Sequence, residues 1–146
     1  MAKYINSKVG EQTIEDWDYT NASGSAVTLY HGDVFTLSAA TTDKVAALAT
    51  SSTAFIVGFY TGVEQSVANG ATVTIKLDVN PTSEWELETS ATGTQGTEYD
   101  FTDQNTINVG ATTYKAMRCT YKDPGSVTTK GYFVPCKHFY GNANLT

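Results

Sequence analysis

One stretch of this chain alternates without a break. In residues 71–79, Val73, Ile75, Leu77 and Val79 fall on one side, and Thr72, Thr74, Lys76 and Asp78 on the other. Successive side chains of a β-strand point to opposite faces, so the run predicts a strand with one buried and one solvated face. Such a strand is stable only as part of a larger sheet. Residues 83–89 repeat the pattern, with Trp85 and Leu87 inward and Glu84, Glu86 and Glu88 outward. No segment has the period of a long amphipathic helix.

Further strand candidates are separated by turn chemistry. They lie at 13–19, 26–30, 34–37, 99–101, 105–109, 114–121 and 131–139. Residues 53–60 form a continuous apolar run, which predicts a strand buried on both faces. Gly58 within it marks a bulge or a close backbone approach. Residues 45–49 are compatible with a short helix or a strand. Ala68-Asn69-Gly70 and Asp123-Pro124-Gly125 are turn signals, and Pro135 predicts that the last strand is an edge or is bulged. About ten short strands at this spacing predict an all-β fold, a compact small barrel or sandwich. Residues 1–12 have little apolar content and read as an extended N-terminal arm. Residues 13–146 then form one β-rich domain, with possible sub-lobes 13–80 and 81–146.

Composition agrees. Twenty-four threonines and nine tyrosines favour the pleated surface of a strand. Only 16% of the 146 residues are charged, against about 25% in average globular chains. The net charge of −6 disfavours nucleic-acid binding, which needs a surplus of Lys and Arg. Charge is segregated along the chain. No Lys or Arg lies between Lys76 and Lys115, whereas five of the nine basic residues fall in 115–137. That pattern fits either a solvated acidic surface or head-to-tail self-association. No apolar signal core follows Met1, and no apolar run is long enough for a membrane-spanning helix. The expectation is therefore synthesis in a cytoplasm, with no membrane partner.

Residues that could do chemistry are few and scattered. A nucleophile needs a base within reach, and the only histidines are His31, in a turn, and His138, near the C-terminus. Cys119 and Cys136 lack the paired spacing of a zinc site, although Cys136 and His138 share a predicted strand face. Whether the two cysteines can meet depends on a register the sequence leaves open, and small buried thiols are the simpler reading. Glu84, Glu86 and Glu88 face water, where nothing raises a carboxyl pKa for acid catalysis. Asp100, Asp103 and Asn105 lack the calcium-loop pattern. No enzyme activity, cofactor or metal is expected.

Three segments carry a resemblance: 23–35, ending Tyr30-His31-Gly32-Asp33-Val34-Phe35; 55–63, with Val57-Gly58-Phe59-Tyr60; and 67–77, with Ala68-Asn69-Gly70. Segments 96–101, 105–109 and 130–133 extend it. Together they resemble the capsid decoration, or cement, proteins of tailed bacteriophages. The resemblance implies a β-rich structural virion protein on the outer capsid surface, often a homo-trimer. Such a protein stabilises the shell by bridging subunits of the major capsid protein. It also implies shell contacts from the N-terminal arm, here Lys3, Tyr4, Ile5 and Lys8. A different reading is a carbohydrate- or receptor-binding virion accessory, a head fibre or tail-associated module, with Tyr and Trp exposed as a platform.

Overall fold

The computed structural model describes residues 2–7, 10–38, 44–122 and 128–139. Lys8, the 123–126 turn and the C-terminal residues from 140 onward lie outside the described residues. The fold is all-β, with thirteen strands and no helix among the described residues.

The first half closes into a barrel. Its strands are β2 (Ile14–Thr20), β4 (Val34–Leu37), β5 (Val45–Leu48), β6 (Gly58–Tyr60) and β8 (Thr72–Asp78), in the spatial order β2-β5-β4-β6-β8. The longest pairing is antiparallel and runs from Ile14 opposite Asp78 to Thr20 opposite Thr72. The alternation that predicts β8 is what closes this pair: Ile75 and Leu77 are buried, while Thr72, Thr74 and Lys76 are exposed. A ribbon of β3 (Val27–Leu29) and β7 (Gln65–Val67) buries Leu29 and Val67 with the same core. Residues 45–48 are strand, not helix.

The second half, together with residues 3–7, forms a six-stranded sheet. It contains β1 (Lys3–Ser7), β9 (Ser83–Thr89), β10 (Glu98–Asp103), β11 (Thr106–Asn108), β12 (Met117–Lys122) and β13 (Lys130–Pro135), ordered β1-β9-β11-β10-β12-β13. β13 also pairs with β9, so β9, β11, β10, β12 and β13 form a second ring, with β1 attached to β9. Trp85, Leu87, Phe101, Ile107 and Phe133 are fully buried inside it.

The two rings share a wall. On β4, Phe35 packs into the first core and Val34 into the second. On and beside β6, Val57 and Tyr60 face the first core, and Ile56 and Phe59 the second. Phe59 stacks on Trp85 at 4.9 Å, with 12° between the rings. Both faces of β6 are therefore buried, as the apolar run predicts. The strand is nevertheless shorter than predicted: only Gly58–Tyr60 is paired as strand, Phe55 is 45% exposed, and Ile56 makes an isolated parallel bridge to His138. Gly58 is a close approach, because a Cβ there would lie 2.5 Å from the Asp78 carbonyl oxygen.

Two further expectations are corrected. Asp78, predicted on the wet face of β8, is buried, because the second ring covers the end of that strand. Its carboxylate accepts the Asn80 N–H at 3.1 Å and, over longer distances, those of Thr13 and Trp85 Nε1. Of the two readings of the last strand, the edge fails, since β12 and β9 flank β13, while the β12–β13 ladder carries a register shift between Cys119 and Tyr121, opposite Phe133 and Tyr132 and not at Pro135. Pro135 is tolerated because it lies beyond Phe133, the last residue paired with β9. Residues 3–7 of the expected arm are extended, but they are hydrogen-bonded along β9, with Lys3 opposite Glu86 and Tyr4 opposite Trp85.

Candidate partner-binding surface

Several buried polar groups of this chain are committed to structure. Asp100 is 3% exposed, and its carboxylate gathers three backbone N–H groups, from Tyr114 at 2.7 Å, Lys115 at 2.8 Å and Thr113 at 3.1 Å. These bonds hold Lys115 in the left-handed region at φ 55°, a conformation that needs such support outside glycine. Asp103 accepts the Asn105 N–H at 3.0 Å in a local turn. Among the described residues, no group of three or more His, Cys, Asp or Glu side chains is placed to share a metal ion.

His138 is buried, and desolvation pulls its pKa down to about 4, against a partly offsetting hydrogen bond with the Val57 backbone. It is neutral at physiological pH and lies against the first barrel's wall. His31 stands 5.4 Å from the Trp85 ring, with Nδ1 3.4 Å from the Gly62 carbonyl. The histidines sit on different parts of the seam between the barrels.

Both cysteines are buried, and neither is in a disulfide among the described residues. The register left open by the sequence is now set. Cys119 faces Phe133, while Cys136 follows Pro135 and donates its N–H to the Ala116 carbonyl. An offset of three residues at about 3.3 Å per residue separates them by roughly 10 Å, beyond the reach of a disulfide. Burial, reinforced by the neighbouring Glu98, pushes the Cys136 thiol far above its ordinary pKa, so it is not a nucleophile at neutral pH.

The segregated charges turn out to be neighbours. The acidic strands β9 and β10 lie beside the basic strands β12 and β13. Arg118 pairs with Glu98 at 3.7 Å and Lys130 with Glu86 at 3.8 Å, while the Thr120 hydroxyl donates to Glu84. A run that reads as an acidic face is therefore matched across strands within one ring. Each such partly exposed pair contributes only ~0–1 kcal/mol.

The sequence-selected contact residues Lys3, Tyr4 and Ile5 lie on β1. Among the described residues β1 pairs only with β9, so its second backbone edge has no strand beside it. Lys3 is exposed and Ile5 half-buried. Tyr4 is partly committed inward: its ring meets Trp85 edge-on at 5.8 Å, and its hydroxyl pairs with Ser7 Oγ at 2.8 Å. Next to this edge is a shallow groove of about 400 Å³ lined by Tyr4, Glu11, Gln12 and Ile14, with Ile14 45% exposed. Ile14 escaped sequence reasoning because the 13–19 segment alternates out of phase.

An aromatic platform built on tryptophan has no support in this geometry, since Trp17 and Trp85 are 1% and 0% exposed. The exposed Tyr121 stands at 49° to Tyr132, not coplanar with it. No protein-family model matches the chain, and no curated protein matches it.

Proposed function

We propose that this chain is a structural virion protein that decorates the outer surface of a tailed-phage capsid, stabilising it as a trimer by bridging major capsid subunits. The observation that carries the reading is β1. Among the described residues it is an edge strand with one side unpaired, beside a groove with an exposed isoleucine, on a body whose Asp78 and Asp100 carboxylates are engaged internally. An unpaired strand edge is a template for strand addition by another chain. The resemblance of segments 23–35, 55–63 and 67–77 supplies the identity of that chain.

The test uses purified heads lacking the protein. The expected result is binding to assembled heads but not to free capsid subunits, together with a higher head-bursting temperature. Light scattering of the isolated protein should give the mass of a trimer. Removing residues 1–12 is not a clean probe, because Ala2 is buried and Tyr4 packs on Trp85. The paired substitution Lys3→Gln and Ile14→Glu alters exposed side chains instead. It should weaken attachment about tenfold or more, equivalent to ~1.4 kcal/mol, with unchanged urea unfolding. Heads that neither bind the protein nor gain stability would refute the proposal. Undiminished binding by the double variant would remove β1 from it.

A further inference from the structure

A cavity of about 220 Å³ opens where the turn between β3 and β4 meets β9 and the turn between β10 and β11. It is several times the ~30 Å³ that a water molecule occupies in the liquid. Ala2, Tyr30, His31, Asp33, Glu88 and Asn105 line it, so it draws on both barrels and on the residue before β1. The capsid reading makes no use of it.

Its charge is one-sided. Two of the six lining residues are carboxylates and none is Lys or Arg. Asp103 lies close enough to act on Asp33 as a third negative charge. Asp33 itself is 1% exposed. One carboxylate oxygen, Oδ2, accepts the Tyr30 N–H at 2.9 Å. The other, Oδ1, is buried without a hydrogen bond of ordinary geometry; the Asn105 side chain eases its charge but does not close that bond. Buried carboxylate oxygens are ordinarily paired, so a lone one on a residue that lines a cavity calls for a donor. Around it the wall is aromatic. Tyr30 is 39% exposed, and the His31 ring lines the opening. Aromatic faces and carboxylates both attract an organic cation.

The geometry points to this cavity as a binding site for a primary alkylammonium group, its charged head over Asp33 and its carbon chain along Tyr30 and His31. A divalent metal fits less well, because it requires several oxygen ligands converging on one point, and no such group exists among the described residues. An anion is opposed by the carboxylates. The site stands independently of the capsid proposal. A lysine side chain from a neighbouring chain and a free small amine carry the same chemistry.

The experiment is an NMR titration of the ¹⁵N-labelled full chain at pH 7.5 and constant ionic strength, following the amides of Tyr30, Asp33 and Asn105. The probes are n-butylammonium, Nα-acetyl-lysine amide and, as the uncharged isostere, n-butanol. The expected result is saturable binding of n-butylammonium with a Kd of about 1–10 mM and no saturable response to n-butanol. Asp33→Asn should weaken binding about tenfold or more. Tyr30→Ala, at an exposed position, should weaken it through loss of the aromatic wall. At pH 5 affinity should fall as Asp33 takes up a proton. The groups around it that also bear on this are Glu88, Asp103, His31, Tyr30 and Tyr60. Binding of both amines identifies a site open to a partner's lysine; binding of n-butylammonium alone identifies a site for free amines. Equal responses to n-butylammonium and n-butanol, undiminished binding by Asp33→Asn, or no saturable shift up to about 50 mM would overturn the proposal.

Discussion

Replacing Asp33 by Asn should make this protein more stable, and by an amount that depends on pH. Burial raises the Asp33 pKa from 3.8 to about 6, against the lowering effect of the Tyr30 N–H. A carboxyl whose folded pKa lies above its unfolded one stabilises the fold when protonated. That stabilisation is complete below pH ~4 and is lost as pH rises through ~6. The shift of roughly two units has a ceiling of ~3 kcal/mol at ~1.4 kcal/mol per unit. Solvent at the cavity mouth screens part of it, leaving ~1–2 kcal/mol. Asn keeps an oxygen for the Tyr30 N–H and removes the charge, so above pH 6 the variant should gain that ~1–2 kcal/mol. With a urea m-value of ~2 kcal/mol/M, the midpoint should rise by roughly 0.5–1 M. The gain should shrink through pH 5 and vanish near pH 4. The assay is urea unfolding of both proteins across pH 4 to 7.5, read as the difference at each pH. The difference is essential because His138, with its pKa lowered to about 4, contributes the opposite slope between about pH 4 and 6.5 and flattens the wild-type profile. A difference that does not vary with pH, or a variant less stable at pH 7.5 than at pH 4 relative to wild type, would refute the burial argument.

Other outcomes follow from packing and hydrogen bonding. Gly58→Ala drives a methyl group to within 2.5 Å of the Asp78 carbonyl oxygen, so unfolding should become easier by ~2–3 kcal/mol, measured by urea titration. Asp100→Ala strips three backbone N–H groups of their acceptor and should lower stability by ~3 kcal/mol or more, with faster proteolytic cleavage in residues 109–116 as the local readout. Cys119 and Cys136 should stay unreactive toward a thiol reagent at pH 7.5 until urea unfolds the chain; rapid native-state labelling of either would contradict their burial.

Much of the fold was legible because its strands obey local rules. The alternation of β8 and β9 and the turn at Asn69-Gly70, with Gly70 at φ 81°, are properties of a few neighbouring residues. What was not legible depends on contacts between distant segments. Asp78 looks like any outward polar residue until the second ring covers it. Residues 3–7 look too polar for a sheet, yet Tyr4 finds Trp85 about eighty residues away in sequence, and the pairing with β9 fixes their place. The cavity at Asp33 had no local mark at all. His31-Gly32-Asp33 reads as a turn, and only the Val34 N–H bonded to the Gln104 carbonyl at 2.8 Å reveals that the second ring closes over it. Gly32, at φ 89°, serves the turn, and Ala2 also sits so close to it that no side chain would fit.

The wall shared by the two rings has a consequence for how the molecule comes apart. Because β4 and β6 are the lining of both cores at once, neither ring can open without stripping the other of its inner surface. The slowest-exchanging amides of the two halves should therefore report the same opening free energy, that of the whole molecule. A chain cut between Asp78 and Ser83 would leave one fragment holding the partition and another with nothing to close against, and the pieces would regain structure only in each other's presence.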